Sequence, residues 1–106
     1  MKFKKRHLTQ LLGGSRRCGK TTKLVKISAN ENKIILCKNM QRRKVIEEIA
    51  YSLGLKIPTP VTIQEHMMYK KHFIDNSLLV DDVEDILESI LRCKIDYMTT
   101  SCKLRK

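Results

Sequence analysis

Apolar positions along the chain follow two alternating patterns. Short, mostly apolar runs predict strands, and they lie at residues 7–12, 32–37, 61–63, 78–82 and 94–101. Apolar residues spaced three or four positions apart predict helices, and these lie at residues 21–30, 41–53, 64–73 and 83–91. Strands that alternate with helices form parallel sheets through right-handed crossovers. The expected fold is therefore α/β, a three-layer arrangement of about five parallel strands with helices on both faces.

Two of these helices have the clearest pattern. The helix at residues 41–53 carries one apolar stripe, and Gly54 is placed to end it. The helix at residues 83–91 repeats the same stripe. Because each proline disfavours helix at the residue before it, Pro58 and Pro60 require an extended segment or a turn ahead of the next strand.

The length of 106 residues sets the scale of the fold. A chain of this size forms one domain, and stabilisation by a ligand or a partner chain is expected to matter. We expect a single domain over residues 1–106, with basic tails at residues 1–7 and 103–106. No apolar run approaches the length of a membrane span, and the basic N-terminus lacks the apolar segment of a secretory signal. We therefore expect a cytoplasmic protein without membrane contact.

Positive charge is concentrated in the first half of the chain. Residues 1–46 contain 14 lysines and arginines and one acid, Glu31, whereas seven of the 11 acids lie in residues 75–96. The formal net charge of the whole chain is +11. A basic half of this kind suits a polyanion, and nucleic acid is the obvious candidate partner. The alternative is that these cations form an ordinary solvated face.

The cysteines and histidines do not form a metal-binding pattern. Cys18, Cys37, Cys93 and Cys102 are scattered and include no C-x-x-C pair. This spacing argues against a zinc site and favours reduced thiols. No histidine has partners at a matching spacing.

One eight-residue segment carries the strongest chemical signal. It runs over residues 14–21 and fits the pattern G-x-x-x-x-G-K-[ST] of a phosphate-binding loop, or P-loop. Its glycines let backbone N–H groups curl around a phosphate at the start of the following helix. Lys20 is then expected to contact the β- and γ-phosphates, and Thr21 to offer its hydroxyl to Mg²⁺. The predicted nucleotide contacts are Gly14, Ser15, Arg16, Arg17, Cys18, Gly19, Lys20, Thr21 and Thr22.

The segments on either side of this motif bear on its interpretation. A P-loop lies between a strand and a helix. A helix is predicted at residues 21–30, and residues 7–12 are a candidate strand with imperfect alternation. The alternative is an ordinary basic turn between a tail and a helix.

A second chemical signal lies at residues 78–82. This apolar run ends in Asp81 and Asp82, as expected of a buried parallel strand whose carboxyl end opens onto a ligand crevice. It follows Lys20 by about 60 residues, which leaves room for strand–helix units between the two signals. The alternative is a helix N-terminus enriched in acids, since acids favour the positive end of the helix dipole.

With these two motifs the chain resembles P-loop NTPases, and among them the RecA-like motor domain of helicases and phage terminase-type ATPases. The resemblance spans nearly the whole chain, in a minimal single-domain form, and is compatible with a phage origin. It rests on residues 14–22, which match Walker A, and on residues 78–82, which are similar to Walker B. It implies that Asp81 holds Mg²⁺, directly or through water, and that the ligand is ATP with Mg²⁺.

The resemblance also implies how water would attack the nucleotide. In such motors a glutamate commonly follows the Walker B aspartate and activates the water, whereas this chain has Asp82, one methylene shorter. Asp82 is therefore the predicted catalytic carboxylate beside Lys20, with Glu84 as a less favoured substitute. The family also needs an arginine finger to stabilise the transition state. Since no such motif is identified in this chain, the resemblance implies that a second copy or another protein supplies it.

Two further assignments follow from position in the fold of that family. Residues 38–43 fall where helicase-like folds place a DNA-contacting loop, which makes Lys38, Arg42 and Arg43 candidate nucleic-acid contacts. Residues 99–101, with the sequence Thr-Thr-Ser, fall where the family keeps a polar sensor of nucleotide state.

Three functions stay open on the sequence. The first is a Mg²⁺-dependent ATPase that acts on or near nucleic acid. The second is a non-catalytic protein with a P-loop fold that uses its basic face to bind DNA or a host protein. The third is a small nucleotide or nucleoside kinase, although the chain has little length for an acceptor pocket and a lid.

Overall fold

Strands and helices alternate along the chain, as the apolar pattern predicted. The computed structural model describes residues 9–13, 19–68 and 77–105, and for residues 103–105 it describes the backbone. The elements are β1 Gln10–Leu12, α1 Lys20–Glu31, β2 Ile35–Cys37, α2 Met40–Ser52, β3 Val61–Thr62, α3 Ile63–Met68, β4 Leu79–Val80, α4 Val83–Leu91 and β5 Lys103–Arg105. None of the helices in these ranges is long and apolar enough to cross a membrane.

The strands pair in two parallel groups. A three-stranded sheet has the order β3-β2-β4, and β1 pairs with β5. The α/β class with parallel strands is therefore confirmed, but the strands in the described ranges form two small sheets and not the expected single one. The strands are short, and β2 shares only two registered residue pairs with each neighbour. Ladders this short provide few backbone hydrogen bonds between β2 and its neighbouring strands.

The core lies between the central strand and the first two helices. α1 and α2 pack against each other and against β2. All three residues of β2 are buried, the pattern of a parallel strand covered on both faces. The buried cluster consists of Leu24, Val25, Ile35, Cys37, Ile46 and Ala50. Burial raises the pKa of the Cys37 thiol to about 11, so this cysteine is a protonated core residue.

Local hydrogen bonds and backbone geometry fix the ends of the first two helices. α2 begins after Asn39, whose Oδ1 accepts a hydrogen bond from the Arg42 N–H at 3.0 Å. Gly54 has a φ of 68° beyond the end of α2, which confirms the stop expected there. α1 ends at Asn32, which has a φ of 55° and donates its N–H to the Ser28 carbonyl.

A capping box, which was not predicted from the sequence, fixes the start of α3. The Thr62 N–H donates to Glu65 Oε1 at 3.0 Å, and the Glu65 N–H donates to Thr62 Oγ1 at 3.1 Å. The hydrogen bond from the Thr62 backbone holds the pKa of Glu65 below its usual range. Arg43 Nη1 contacts the same carboxylate at 2.9 Å and the Pro60 carbonyl at 3.0 Å. These bonds join β3 and α3 to α2. The rest of the helix expected here, residues 69–73, lies outside the described residues.

The segment at residues 94–101 differs from the expectation of a strand. It forms no regular element, and side-chain acceptors take one backbone donor within it and one directly after it. Glu88 Oε2 accepts a hydrogen bond from the Ile95 N–H at 2.8 Å, and Thr100 Oγ1 accepts one from the Cys102 N–H at 2.9 Å.

The last strand comes later in the chain than predicted. β5 lies within residues 103–106, which we expected to form a basic tail. Its backbone pairs in parallel with β1, in a register that places Gln10 opposite Lys103. The expectation of a tail is therefore wrong for the residues of β5, since a non-local partner provides the hydrogen bonds that a local sequence pattern does not reveal.

Arg92 is a position at which the stability of the fold can be raised. It follows α4 in the left-handed conformation, with φ 59° and ψ 36°, and its side chain is exposed. A Cβ makes this conformation unfavourable by about 1 kcal/mol, whereas glycine adopts it freely. We expect Arg92→Gly to raise the free energy of unfolding in urea by about 0.5–1 kcal/mol. Arg92→Ala keeps the Cβ and is expected to stay close to wild type. An equal gain in both variants would show that charge, and not backbone geometry, is responsible.

Candidate functional site

The described end of the first predicted motif, residues 19–21, meets the second motif at one end of the three-stranded sheet. Residues 19–21 lie at the N-terminus of α1, and Asp81 directly follows β4. Thr21 Oγ1 donates a hydrogen bond to Asp81 Oδ1 at 3.3 Å, although 60 positions separate the two residues in sequence. The Asp81 N–H donates to the Leu36 carbonyl of β2 at 2.9 Å, which fixes the backbone at this point.

The end of the P-loop motif lies within the described residues. Gly14, Ser15, Arg16, Arg17 and Cys18 lie outside them. Gly19 precedes α1 with a φ of 82°, and a Cβ added there would meet nothing within 4 Å. This glycine is therefore required by the backbone conformation and not by lack of space. Its carbonyl accepts a helical hydrogen bond from the Lys23 N–H at 3.0 Å. Lys20 and Thr22 are both partly buried at the start of the helix.

The carboxylate of Asp81 is buried and paired with an arginine. Asp81 is 4% exposed, and Arg42 Nε donates to its Oδ2 at 2.9 Å. Arg42 Nη2 donates to Asp81 Oδ1 at 3.4 Å and to Thr21 Oγ1 at 3.0 Å. A buried charge of this kind needs a partner of opposite charge. The guanidinium thus contacts both of the residues predicted to bind Mg²⁺.

The contacts among Thr21, Arg42 and Asp81 bear on whether a Mg²⁺ ion fits the site. The oxygens of Thr21 and Asp81 converge on a position that already holds a cationic group, the Arg42 guanidinium. A hydroxyl and a carboxylate are ligands that Mg²⁺ accepts, usually together with phosphates and water. In the part of the chain that the structure describes, no group of three or more His, Cys, Asp or Glu side chains could hold a metal ion. The residues present therefore fit a Mg²⁺ ion that arrives with phosphate oxygens.

Asp82 belongs to a group of three carboxyl groups at the start of α4. Its φ of 60° is left-handed, a conformation that aspartate tolerates better than most residues. Burial raises the pKa of Asp82, but hydrogen bonds with Glu84 and Asp85 outweigh this effect and hold the pKa below its usual range. The bond with Asp82 raises the pKa of Glu84. The nearby Lys20 also lowers the pKa of Asp82 and so favours its charged form.

These pKa shifts bear on the catalytic role predicted for Asp82. A general base is most effective when its pKa lies near the working pH. The lowered pKa makes Asp82 a weak base, although its charged carboxylate can still orient a water molecule. Glu84 has a raised pKa and shares a hydrogen bond with Asp82.

The three residues predicted to contact nucleic acid lie in different environments. Lys38 is exposed. Arg42 bonds to Asp81, and Arg43 bonds to Glu65 at 2.9 Å with only 17% of its side chain exposed. Both arginines thus form ion pairs within the protein. The predicted sensor residues 99–101 are exposed and lie in the irregular segment before β5.

The role of Arg42 is the feature of the site that the sequence did not predict. Its partner Asp81 lies 39 positions away, and the pairing depends on how α2 packs. The available local signal is Asn39, which caps α2 and so sets the helix turn that carries Arg42.

Comparisons with known proteins add no relative from which a role could be transferred. No protein-family model, curated protein or solved structure matches the chain. The functional assignment therefore depends on the two motifs and on the contacts among Thr21, Arg42 and Asp81.

Proposed function

We propose that the chain binds ATP with Mg²⁺ through its P-loop and is a Mg²⁺-dependent ATPase that acts on or near nucleic acid. The observation that carries this proposal is the hydrogen bond of 3.3 Å from Thr21 Oγ1 to Asp81 Oδ1. Two separate motifs predicted these residues as Mg²⁺ ligands, and they lie side by side. Asp81 also lies beyond the carboxyl end of a parallel strand, where α/β folds bind their ligands.

Residues at the start of α1 would bind the phosphates. α1 is a 12-residue helix, and the N–H groups and positive dipole end at its N-terminus favour an anion. Lys20 would place its ammonium group against the β- and γ-phosphates. Thr21 and Asp81 would hold Mg²⁺, which would supply positive charge to neutralise the charge that develops during phosphoryl transfer.

In hydrolysis, water would attack the γ-phosphorus in line with its bond to the β–γ bridging oxygen; that bond would break to release ADP, and a proton of the water would pass to the phosphate product. Asp82 would orient this water as an acceptor, and its ionised state at neutral pH suits that role. An arginine from a second copy or another protein would stabilise charge in the transition state. We therefore expect turnover by the isolated chain to be slow.

The charge distribution supports a nucleic-acid partner. The chain has a formal net charge of +11, and Lys38 at the start of α2 is exposed. Contacts to a phosphate backbone weaken steeply with salt. Binding to single- or double-stranded DNA should therefore lose affinity as the salt concentration rises.

One observation favours a second candidate, a non-catalytic nucleotide-binding protein. The pKa of Asp82 lies below its usual range, so this residue lacks the basicity that water activation requires. Such a protein would bind ATP through the same residues and use its basic face to bind DNA or a host protein. Phosphate release with and without DNA separates the two candidates, because tight ATP binding without turnover supports the binder. ADP formation that depends on an added nucleoside would instead indicate a kinase.

Lys20→Ala tests nucleotide binding directly. We expect the variant to bind Mg²⁺·ATP at least about tenfold more weakly in isothermal titration calorimetry, since a hydrogen bond to a charged group contributes roughly 1.5–3 kcal/mol. Lys23→Ala is the matched control, because Lys23 is an exposed lysine on the same helix and its loss removes the same charge. Equal affinity in wild type and Lys20→Ala would contradict the proposal.

A further inference from the structure

We propose that the Arg42 guanidinium is an internal counter-cation of the predicted metal site, and that Mg²⁺ must displace it when Mg²⁺·ATP binds. The inference rests on the proposed function, because it takes Thr21 and Asp81 as the Mg²⁺ ligands. It assigns Arg42 the role of blocking free Mg²⁺ from the site until nucleotide binds.

The contacts of Arg42 involve every oxygen that the metal would use. Arg42 Nε lies 2.9 Å from Asp81 Oδ2, and Nη2 lies 3.4 Å from Asp81 Oδ1 and 3.0 Å from Thr21 Oγ1. Mg²⁺ binds oxygen at about 2.0–2.1 Å, so an ion on Asp81 would lie close to the guanidinium and repel it. The two cations therefore compete for one position.

The exposure of the partners indicates which of them can move. The Arg42 side chain is 36% exposed, whereas that of Asp81 is 5% exposed. The backbone of Asp81 is fixed by its bond to Leu36, and the backbone N–H of Arg42 is fixed by the cap at Asn39. The guanidinium can therefore rotate toward solvent while α2 and β4 stay in place.

The competition keeps free Mg²⁺ from occupying the site in the absence of nucleotide. A free Mg²⁺ ion would gain two protein ligands from Thr21 and Asp81 and would have to break the contacts of Arg42. An ion that arrives with ATP also brings phosphate oxygens, which the P-loop binds at the same time. Displacement of Arg42 costs the same free energy in both cases, but only the Mg²⁺·ATP complex gains the phosphate contacts that offset this cost.

Titration of the full chain with free Mg²⁺, in the absence of nucleotide, tests this directly. Backbone amide shifts near Asp81 report binding in wild type, Arg42→Gln and the control Lys44→Gln. The control removes the same charge from an exposed position on α2. We expect Arg42→Gln to bind Mg²⁺ roughly tenfold to a hundredfold more tightly than wild type, and Lys44→Gln to be unchanged. Equal or weaker binding by Arg42→Gln would overturn the inference.

Two further measurements guard against a variant that does not fold. Arg42→Lys keeps a positive charge but lacks the planar fork of donors, so its Mg²⁺ affinity is expected to lie between those of wild type and Arg42→Gln. In the wild-type protein, the Arg42 Nε–H resonance should exchange faster with water when ATP is added with Mg²⁺, but not when ATP is added with EDTA. An Nε–H that stays protected with Mg²⁺·ATP bound would overturn the inference and leave the proposed function intact.

Different measurements contradict the inference and the proposed function. No amide shift at residues 19–22 with Mg²⁺·ATP in any variant would overturn the proposed function. The titration with free Mg²⁺ still decides the inference in that case. A higher affinity of Arg42→Gln for free Mg²⁺ supports competition between Arg42 and Mg²⁺ for Asp81, and an unchanged affinity contradicts it.

Discussion

Asp81→Asn is expected to abolish the Mg²⁺ dependence of ATP binding. Asparagine keeps the shape of the side chain but lacks the charge that would hold the metal ion. Because Asp81 is 4% exposed, solvent screens this charge only weakly. In the presence of excess Mg²⁺ we expect the affinity for ATP to fall by roughly a hundredfold, to the value that wild type shows in EDTA. Isothermal titration calorimetry in both conditions measures the effect.

A folding measurement and a control variant distinguish loss of the metal site from unfolding of the protein. Arg42 is 36% exposed, so water can solvate its charge when its partner becomes neutral, and the variant should stay folded by circular dichroism. Asp96→Asn is the control, since Asp96 is an exposed carboxylate beyond α4 and its loss removes the same charge. If Asp81→Asn kept a wild-type response to Mg²⁺, Asp81 would not be a metal ligand.

The second large effect concerns the core. Ile46 of α2 is fully buried in the cluster that α1 and β2 complete. We expect Ile46→Ala to lower the free energy of unfolding by about 2–5 kcal/mol, through lost burial and the cavity left behind. Domains of this size have only about 5–15 kcal/mol of stability, so the melting temperature should fall by roughly 10–20 °C.

Urea denaturation and thermal unfolding both measure this loss. Val45→Ala is the matched control, because Val45 is the preceding residue on α2 and is 38% exposed. We expect the control to lose less than about 1 kcal/mol. Similar losses in both variants would show that helix propensity, and not core packing, dominates at this turn.

The apolar pattern predicted the elements that form the core. β2 and α2 were expected from a buried run and an apolar stripe; the structure places α2 within one residue of the expected bounds, and β2 begins three residues later than expected. Their ends depend on single side chains, such as the cap at Asn39, which a pattern of apolar positions does not describe.

Strand pairing was less predictable. β5 lies at the end of the chain and pairs with β1 near its start, so its partner is remote in sequence. The segment at residues 94–101 looked more like a strand, but Glu88 and Thr100 accept its backbone donors or those beside it. Such hydrogen bonds depend on where α4 ends, and sequence periodicity does not contain that information.

For the site, the sequence predicted which residues belong to it better than it predicted the contacts between those residues. Thr21 and Asp81 were predicted as partners because each lies in a recognisable motif, and the structure brings them together. Arg42 was predicted as a nucleic-acid contact from its position in helicase-like folds, and its partner Asp81 was not predicted. Its contact with Asp81 requires α2 to pack against β2, the strand that pairs with β4, and only the three-dimensional structure supplies this arrangement.

The two consecutive arginines of α2 have a consequence for how the sheet opens. Arg42 bonds to Asp81 beyond β4, and Arg43 bonds to Glu65 beyond β3, so one helical turn is tied to both edges of the sheet. With only two registered residue pairs on each side of β2, the ladders alone hold these edges weakly. The first turn of α2 and the two edge strands would therefore open as one cooperative unit in hydrogen exchange. Withdrawal of Arg42 would divide that unit, since β4 would then exchange independently while Arg43 still held β3.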